Sequence, residues 1–232
     1  MKKVKRVDWA INQGLYVIIN SHQDNANMRE MESINYGEGY YPSIKDMHQS
    51  KLFIYNIWRQ IAMAFNNGYD HHLIFEGLNE PRMSGHKYEW NYNSNDEDCK
   101  EAASVLNEYM RLIVKAIRTT KGNNAKRFIM ITPLAASYIS AINSNVIMPD
   151  DSLYNPRNNK LILSVYINTP YNLALNGDMA YTKFTDEYIE ELYEDCINLY
   201  QKYTAKGINV IIGEMGTVNK NNTKERKEWA KY

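Results

Sequence analysis

Two glutamates in this sequence stand where strand-based enzymes keep their reactive groups. The apolar run Leu73-Ile74-Phe75 leads into Asn79-Glu80-Pro81. Buried strands read as short apolar runs, and proline cannot donate to a ladder, so a strand here must stop before Pro81. That sets Glu80 at the carboxyl end of a core strand, the end at which barrel enzymes do chemistry. Val210-Ile211-Ile212-Gly213-Glu214 has the same shape and ends on a second acid. A carboxylic acid that protonates a departing oxygen and a carboxylate that attacks the carbon it leaves are the minimum apparatus for cleaving a glycosidic bond.

The elements that must carry these acids alternate along the chain. A helical pattern through Val7-Asp8-Trp9-Ala10 ends near Gly14, and Leu15 to Asn20 reads as a buried strand. After a loop rich in Tyr and Gly (Tyr36 to Pro42), Gln49 to Asn67 carries Leu52, Tyr55, Ile57, Ile61 and Phe65 at helical spacing. The Glu80 strand, a polar loop from Met83 to Asn95 and a helix from Asp96 to Thr120 follow. That helix has Val105, Leu106, Tyr109, Leu112, Ile113 and Ile117 on its apolar face. Arg127 to Thr132 and Leu161 to Val165 are strands, and Asp186 to Lys206 is a helix closed by Gly207. The Glu214 strand and a helix from Lys224 complete the series. This is the pattern of βα units feeding a parallel sheet. It predicts one α/β domain over residues 1–232 of the (β/α)8 TIM-barrel type. The barrel is incomplete, with five strands where a closed one has eight. An open doubly wound sheet would need a phosphate-binding glycine turn, and no such turn is present.

Composition narrows the partners. Lys+Arg and Asp+Glu balance at 27 each, which excludes the basic footprint of a nucleic-acid binder. No apolar stretch approaches the length of a membrane span, and the N-terminal residues contain no export signal. Cys99 and Cys196 match neither a metal spacing nor a disulfide framework and read as ordinary helix residues. His71 and His72 look like a metal pair. They precede the Glu80 strand, however, at the end of a barrel where structural roles dominate, and are not taken as ligands. No cofactor or metal is expected. Nineteen tyrosines suit carbohydrate, each offering a flat apolar face with a polar tip.

Longer phrases sharpen this. Phe75-Glu-Gly-Leu-Asn-Glu-Pro-Arg82, Gln60-Ile-Ala62, Tyr171-Asn-Leu-Ala174 and Ile212-Gly-Glu-Met-Gly216 together resemble glycoside hydrolase family 5, the cellulases, in its endoglucanase branch. The resemblance runs from Arg6 to Tyr232 and implies that the visible strands are the third to seventh of the family's barrel. It implies an endo-acting retaining β-1,4-glucanase with Glu80 as acid/base and Glu214 as nucleophile. It further implies that Asn79 bonds the sugar 2-hydroxyl, that His22 contacts substrate, and that the product is secreted.

The pattern also departs from the family. Gln23 stands where a second histidine is usual, and Tyr166 and Asn168 stand for a His and a Tyr that support the two acids. A second-strand Arg and an eighth-strand Trp have no counterpart. These departures define an alternative, a catalytically impaired glucan-binding relic or a truncated fragment of such an enzyme. Trp90, on the loop after Glu80, is a candidate sugar platform, Gln23 keeps hydrogen bonding, and Tyr166 is a candidate substrate contact. Trp9 and Trp58 fall on helical stripes and are expected in the core. The expected partner is a β-glucan, with no nucleic acid and no membrane; open barrel edges would also permit self-association.

Overall fold

A computed structural model describes residues 2–27, 32–154 and 159–232. Helix α1 (Lys2–Asn12) precedes β1 (Val17–Asn20), and α2 (Met47–Ala64) leads to β2 (Leu73–Glu76). Then come α3 (Glu97–Arg118), β3 (Ile129–Ile131), the short α4 (Tyr138–Asn143) and β4 (Leu161–Ile167). The last elements are α5 (Tyr171–Ala174), α6 (Asp186–Lys202), β5 (Asn209–Met215) and α7 (Thr223–Trp229). The sheet order is β1-β2-β3-β4-β5, so each strand lies beside the one before it in sequence. A doubly wound sheet would reverse that order at a switch point. The unbroken progression, with helices between parallel strands, is that of a βα barrel with five of its strands, as expected.

Contacts along the chain divide it into two units, residues 1–164 and 165–232, and β4 crosses the boundary. In the first unit β1 pairs with β2 from Val17↔Leu73 to Asn20↔Glu76. β2 pairs with β3 at Phe75↔Ile129 and Glu76↔Met130, and β3 with β4 from Ile129↔Leu161 to Ile131↔Leu163. All these ladders are parallel. β3 and β4 are buried along their whole length, as apolar runs in a sheet covered on both faces should be.

Helices α2 and α3 supply one cover. Asp96 caps α3 by accepting from the Cys99 amide, and Ala102, Val105, Leu106, Tyr109, Met110, Ile113 and Ile117 are buried. The buried stripe of α2 differs from the expected one: it runs Ser50, Ile54, Trp58, Ala62. Leu52 is exposed, because the four-residue steps from Ser50 carry the core face past it. Trp58 is fully buried and its indole donates to the Gly77 carbonyl at 2.7 Å. Trp9 is not core but 72% exposed. α1 turns Val7 inward, and two residues further round the helix the indole faces out.

A buried guanidinium network closes the amino ends of β2 and β3. Arg127 donates to the carbonyls of Phe65, Asn66, Tyr69, Asp70 and Leu73 and to Asn124 Oδ1 at 2.7–3.2 Å. Arg118 grips both oxygens of Asp151 at 2.7 and 3.0 Å and reaches the carbonyls of Asn124 and Arg127.

In the second unit Thr185 caps α6, Leu192 and Leu199 are buried, and Gly207 closes the segment in the left-handed region at φ 81°. Buried Asp195 accepts from Thr169 Oγ1 at 2.5 Å, and Trp229 Nε1 donates to the Thr169 carbonyl at 3.1 Å. Cys99 is buried and Cys196 exposed, both as free thiols. No helix among the described residues is long and apolar enough to cross a membrane.

Candidate active site

The strand before Glu80 ends earlier than the sequence suggests, at Glu76. Pairing nonetheless continues through the next three residues. Gly77 N donates to Met130 O at 3.0 Å, Thr132 Oγ1 to Leu78 O at 2.9 Å, and Asn79 N to Ser21 O at 3.0 Å. Gly77 lets α3 pack closely on this path, since a Cβ there would come within 3.1 Å of Ile113 Cδ1 and the isoleucine would have to shift. The chain therefore reaches Glu80 fixed on both sides, with α3 pressed against its back.

Beneath Glu80 lies a second carboxylate that sequence reasoning missed. Glu76 is 4% exposed and accepts from Asn20 Nδ2 at 3.0 Å and from Ser164 Oγ at 2.7 Å. The same Asn20 amide lies 3.4 Å from Asn79 Oδ1 and 3.3 Å from His22 Nδ1. Asn20 thus ties the residue before the predicted acid to the predicted substrate-contacting histidine. A signal was available: Glu76 and Ser164 interrupt apolar runs, and a polar group inside a buried strand must have partners.

The loop after Glu80 is organised by Arg82. Its Nε donates to Glu89 Oε1 at 2.9 Å, its Nη1 to the Glu80 carbonyl at 3.2 Å, and its backbone N to Asn25 Oδ1 at 2.9 Å. The guanidinium lies 4.4 Å from the centre of the Trp90 ring. Glu89 also accepts from Gly85 N, so the loop closes on itself. Tyr40 sits fully buried nearby. Burial pushes its hydroxyl far above the usual phenol range, with Arg82 opposing and Asp24 adding.

Each predicted site residue can now be placed. His22 and Gln23 are exposed just past β1, where with Asn20, Ser21 and Asp24 they line a hollow of about 570 Å³ that Ile57 and Ile61 of α2 also face. Asn79 is buried, Glu80 is half-buried and Trp90 is 50% exposed. The first unit thus brings His22, Asn79 and Glu80 to neighbouring strand ends, with Trp90 on the following loop. Tyr166 and Glu214 belong to the second unit. Tyr166 is buried in β4, and Glu214 is exposed next to last in β5.

Two groups among the described residues could offer several ligand atoms to a metal, Asp70-His71-His72 and His86-Asp96-Cys99. The second is already engaged: Asp96 caps α3 and pairs with Lys87, and His86 Nδ1 accepts from Tyr88 N.

Comparison with known proteins bears on all of this. The model of the cellulase family, glycosyl hydrolase family 5, matches residues 1–232. Endoglucanase 1 of Ruminococcus albus is 41% identical over 228 residues, covering 95% of the chain and 47% of that protein. Endoglucanase B of Neocallimastix patriciarum is 38% identical over 234 residues, 100% of the chain and 44% of the relative. The chain spans about half the length of the curated relatives it matches. Among solved structures, a glycoside hydrolase 5 lichenase variant from Caldicellulosiruptor sp. F32 in complex with cellotetraose superposes with a TM-score of 0.87 at 33% identity. It covers 97% of this chain and 59% of that one. A broad-specificity endoglucanase from Ruminococcus champanellensis with bound cellotriose gives 0.81 at 35%, covering 97% and 58%.

Proposed function

The chain belongs to the cellulase family, glycosyl hydrolase family 5, and from that membership we propose that it is a catalytic domain of an endo-acting, retaining β-1,4-glucan hydrolase. Glu80 is the acid/base and Glu214 the nucleophile. Glu80 protonates the glycosidic oxygen as Glu214 attacks the anomeric carbon. Water, deprotonated by Glu80, then resolves the covalent glycosyl intermediate. Asn79 holds the sugar 2-hydroxyl, His22 and Gln23 contact the chain from the end of β1, and Tyr166 contacts it from β4. Trp90 stacks on a ring. The substrate class is the β-glucan whose oligosaccharides occupy the two solved relatives, and such a polymeric substrate makes secretion part of the same reading.

The observation that carries the proposal is the fixed path to Glu80. Asn79 and Glu80 do not sit on a free loop. They follow directly on a buried strand, and the Asn20 amide, bonded to the Glu76 that Ser164 also holds, lies 3.4 Å from the Asn79 side-chain carbonyl oxygen. Preorganised polar groups of this kind are what a charged transition state requires.

The test is hydrolysis of lichenan and a soluble cellulose derivative by the chain and by its Glu80→Gln and Glu214→Gln forms. A lost acid/base is expected to cost about 10²–10⁴-fold, with folding unchanged by circular dichroism. Activity that survives both substitutions would remove the assignment. Release of the β-anomer, followed by NMR, distinguishes retention from inversion.

A second reading rests on Tyr166 and Asn168, which stand where the family has His and Tyr: the chain binds glucan with little or no turnover. Calorimetric binding of cellotetraose without hydrolysis supports that reading, and ordinary turnover sinks it. Self-association belongs to the same proposal. β1 ends the strand order, and Leu15 and Tyr16 just before it and Ile18 within it are 56, 62 and 49% exposed. Sedimentation velocity across a concentration series tests it.

A further inference from the structure

We propose that Asp70, His71 and His72 form a binding site for a borderline divalent transition-metal ion such as Zn²⁺ or Ni²⁺ at the amino end of β2. The sequence reading gave these histidines a structural place because they precede the Glu80 strand. The structure keeps that place and adds a third donor. His72 Nδ1 lies 2.9 Å from Asp70 Oδ1, and His71 Nδ1 lies 3.7 Å from Asp70 Oδ2. Two imidazoles therefore lie against one carboxylate, each at a different oxygen, with their ring centres 4.3 Å apart. All three ligand atoms fall within 4.8 Å of one another. Tetrahedral ligands about 2.0–2.1 Å from zinc are about 3.3 Å from each other, so small rotations of the exposed Asp70 and His71 side chains would have to bring the three donors to that spacing. An ion would replace the direct imidazole–carboxyl contacts, the ligand atoms opening to about 2.0–2.1 Å from it, and water would complete its coordination.

The backbone beneath the three ligands is already held. The Asp70 carbonyl accepts from Arg127 Nη1 at 2.9 Å, the His72 carbonyl accepts from Val17 N at 2.8 Å, and the His72 amide donates to Asp70 Oδ1 at 2.9 Å. The Tyr16 ring packs against His72 with centroids 4.7 Å apart. A site on a fixed turn loses less freedom when it closes on an ion than one on a free loop. Two imidazoles and one carboxylate favour zinc, nickel, cobalt or copper over magnesium and calcium, which prefer oxygen ligands alone. The site stands apart from the glycosidase assignment and does not depend on it.

The test is isothermal titration of Zn²⁺ and of Ni²⁺ into the untagged chain, its His71→Ala form and the His71→Ala/His72→Ala double form. His71 is the informative single change, because its ring is largely exposed and its loss leaves the fold intact. The chain is expected to bind one equivalent, and the single variant to bind more than about tenfold more weakly, since even outer partners of a metal ligand are worth that factor. Zn²⁺ should raise the melting temperature of the parent chain and leave that of the double variant unmoved. Equal binding by parent and double variant would assign the ion to His22, His48 or His86 and overturn the proposal. So would the absence of uptake by the parent at millimolar ion.

Discussion

Two buried polar networks sit at opposite ends of the parallel strands of the first unit, and they are built from opposite materials. At the amino ends, Arg127 and Arg118 carry the charge. Most of their partners are backbone carbonyls from the end of α2, the turn before β2 and the segment around Asn124. At the carboxyl ends an acid, Glu76, stands at the centre, and the side chains of Asn20 and Ser164 donate to it. A guanidinium has five donors in a fixed fork and can staple several chain segments at once. Glu76 accepts from both, so oriented side-chain donors face it. The first arrangement fixes where the chain goes. The second fixes where the side chains of Asn20, and through it Asn79 and His22, point. The amino end is organised for stability and the carboxyl end for geometry.

The largest effect that can break this contrast comes from the amino end. Arg118→Met would leave Asp151 buried without its bidentate partner, since both side chains are under 2% exposed. Removing one member of a buried ion pair costs about 3–5 kcal/mol, a large part of the stability of a typical domain. The expected outcome is a matching drop in urea unfolding free energy for the first unit. A loss below about 1 kcal/mol would mean that the network is not a staple.

At the other end Asn20→Ala removes a donor from Glu76 and the amide nearest Asn79 and His22. Losing that one hydrogen bond costs about 0.5–1.5 kcal/mol. The contrast predicts that stability falls by that amount while cellotetraose affinity, measured by calorimetry, falls further than the stability loss explains. Equal stability loss with unchanged affinity would make the two ends alike. A smaller effect is expected at Trp90. Arg82→Met removes the cation from one face of the indole, worth about 0.5–1 kcal/mol at a half-exposed site. A few-fold weaker oligosaccharide binding is the matching observation.

How much of this could be read from the residues alone divides along the same line. Glu80 was legible because a proline and an apolar run bracket it, and strand chemistry leaves little choice there. Alternation indicated parallel βα units, while the barrel-type order also rested on the missing phosphate-binding turn and on the family resemblance. Glu76 was passed over because it sits inside the same phrase as Glu80, and a single sequence does not say which polar residue in a strand faces another strand. Arg127 was read only as the first residue of a strand. Its targets are carbonyls, and backbone groups leave no trace in residue identity. Trp9 failed for a related reason: helical spacing assigns residues to faces but does not say which face meets the core. The Asp70-His71-His72 group was half legible. The pair of rings was visible, and the carboxylate that draws them together was not, because consecutive residues share a site only when the turn geometry allows it.

The last prediction concerns the docking of α1 beside the amino-end network. Tyr69, whose carbonyl is one of the Arg127 acceptors, donates its hydroxyl to Asp8 Oδ1 of α1 at 2.6 Å. That hydrogen bond, with burial second and the Asp8 charge third, pushes the phenol up to about 12. The folded chain holds the proton more tightly than the unfolded one, in which a phenol ionises near 10. The bond therefore contributes fully below pH 10, loses its contribution as pH rises above 10, and has none left beyond about 12. Tyr69→Phe should remove this part of the alkaline instability. Amide exchange of α1 in the parent chain should accelerate across that window beyond the normal base-catalysed rise. In the variant it should follow the normal rise from a lower starting protection. If both proteins show the same excess, the buried tyrosines of the core account for the alkaline loss, and α1 is held by Val7 and its neighbours rather than by the Asp8–Tyr69 bond.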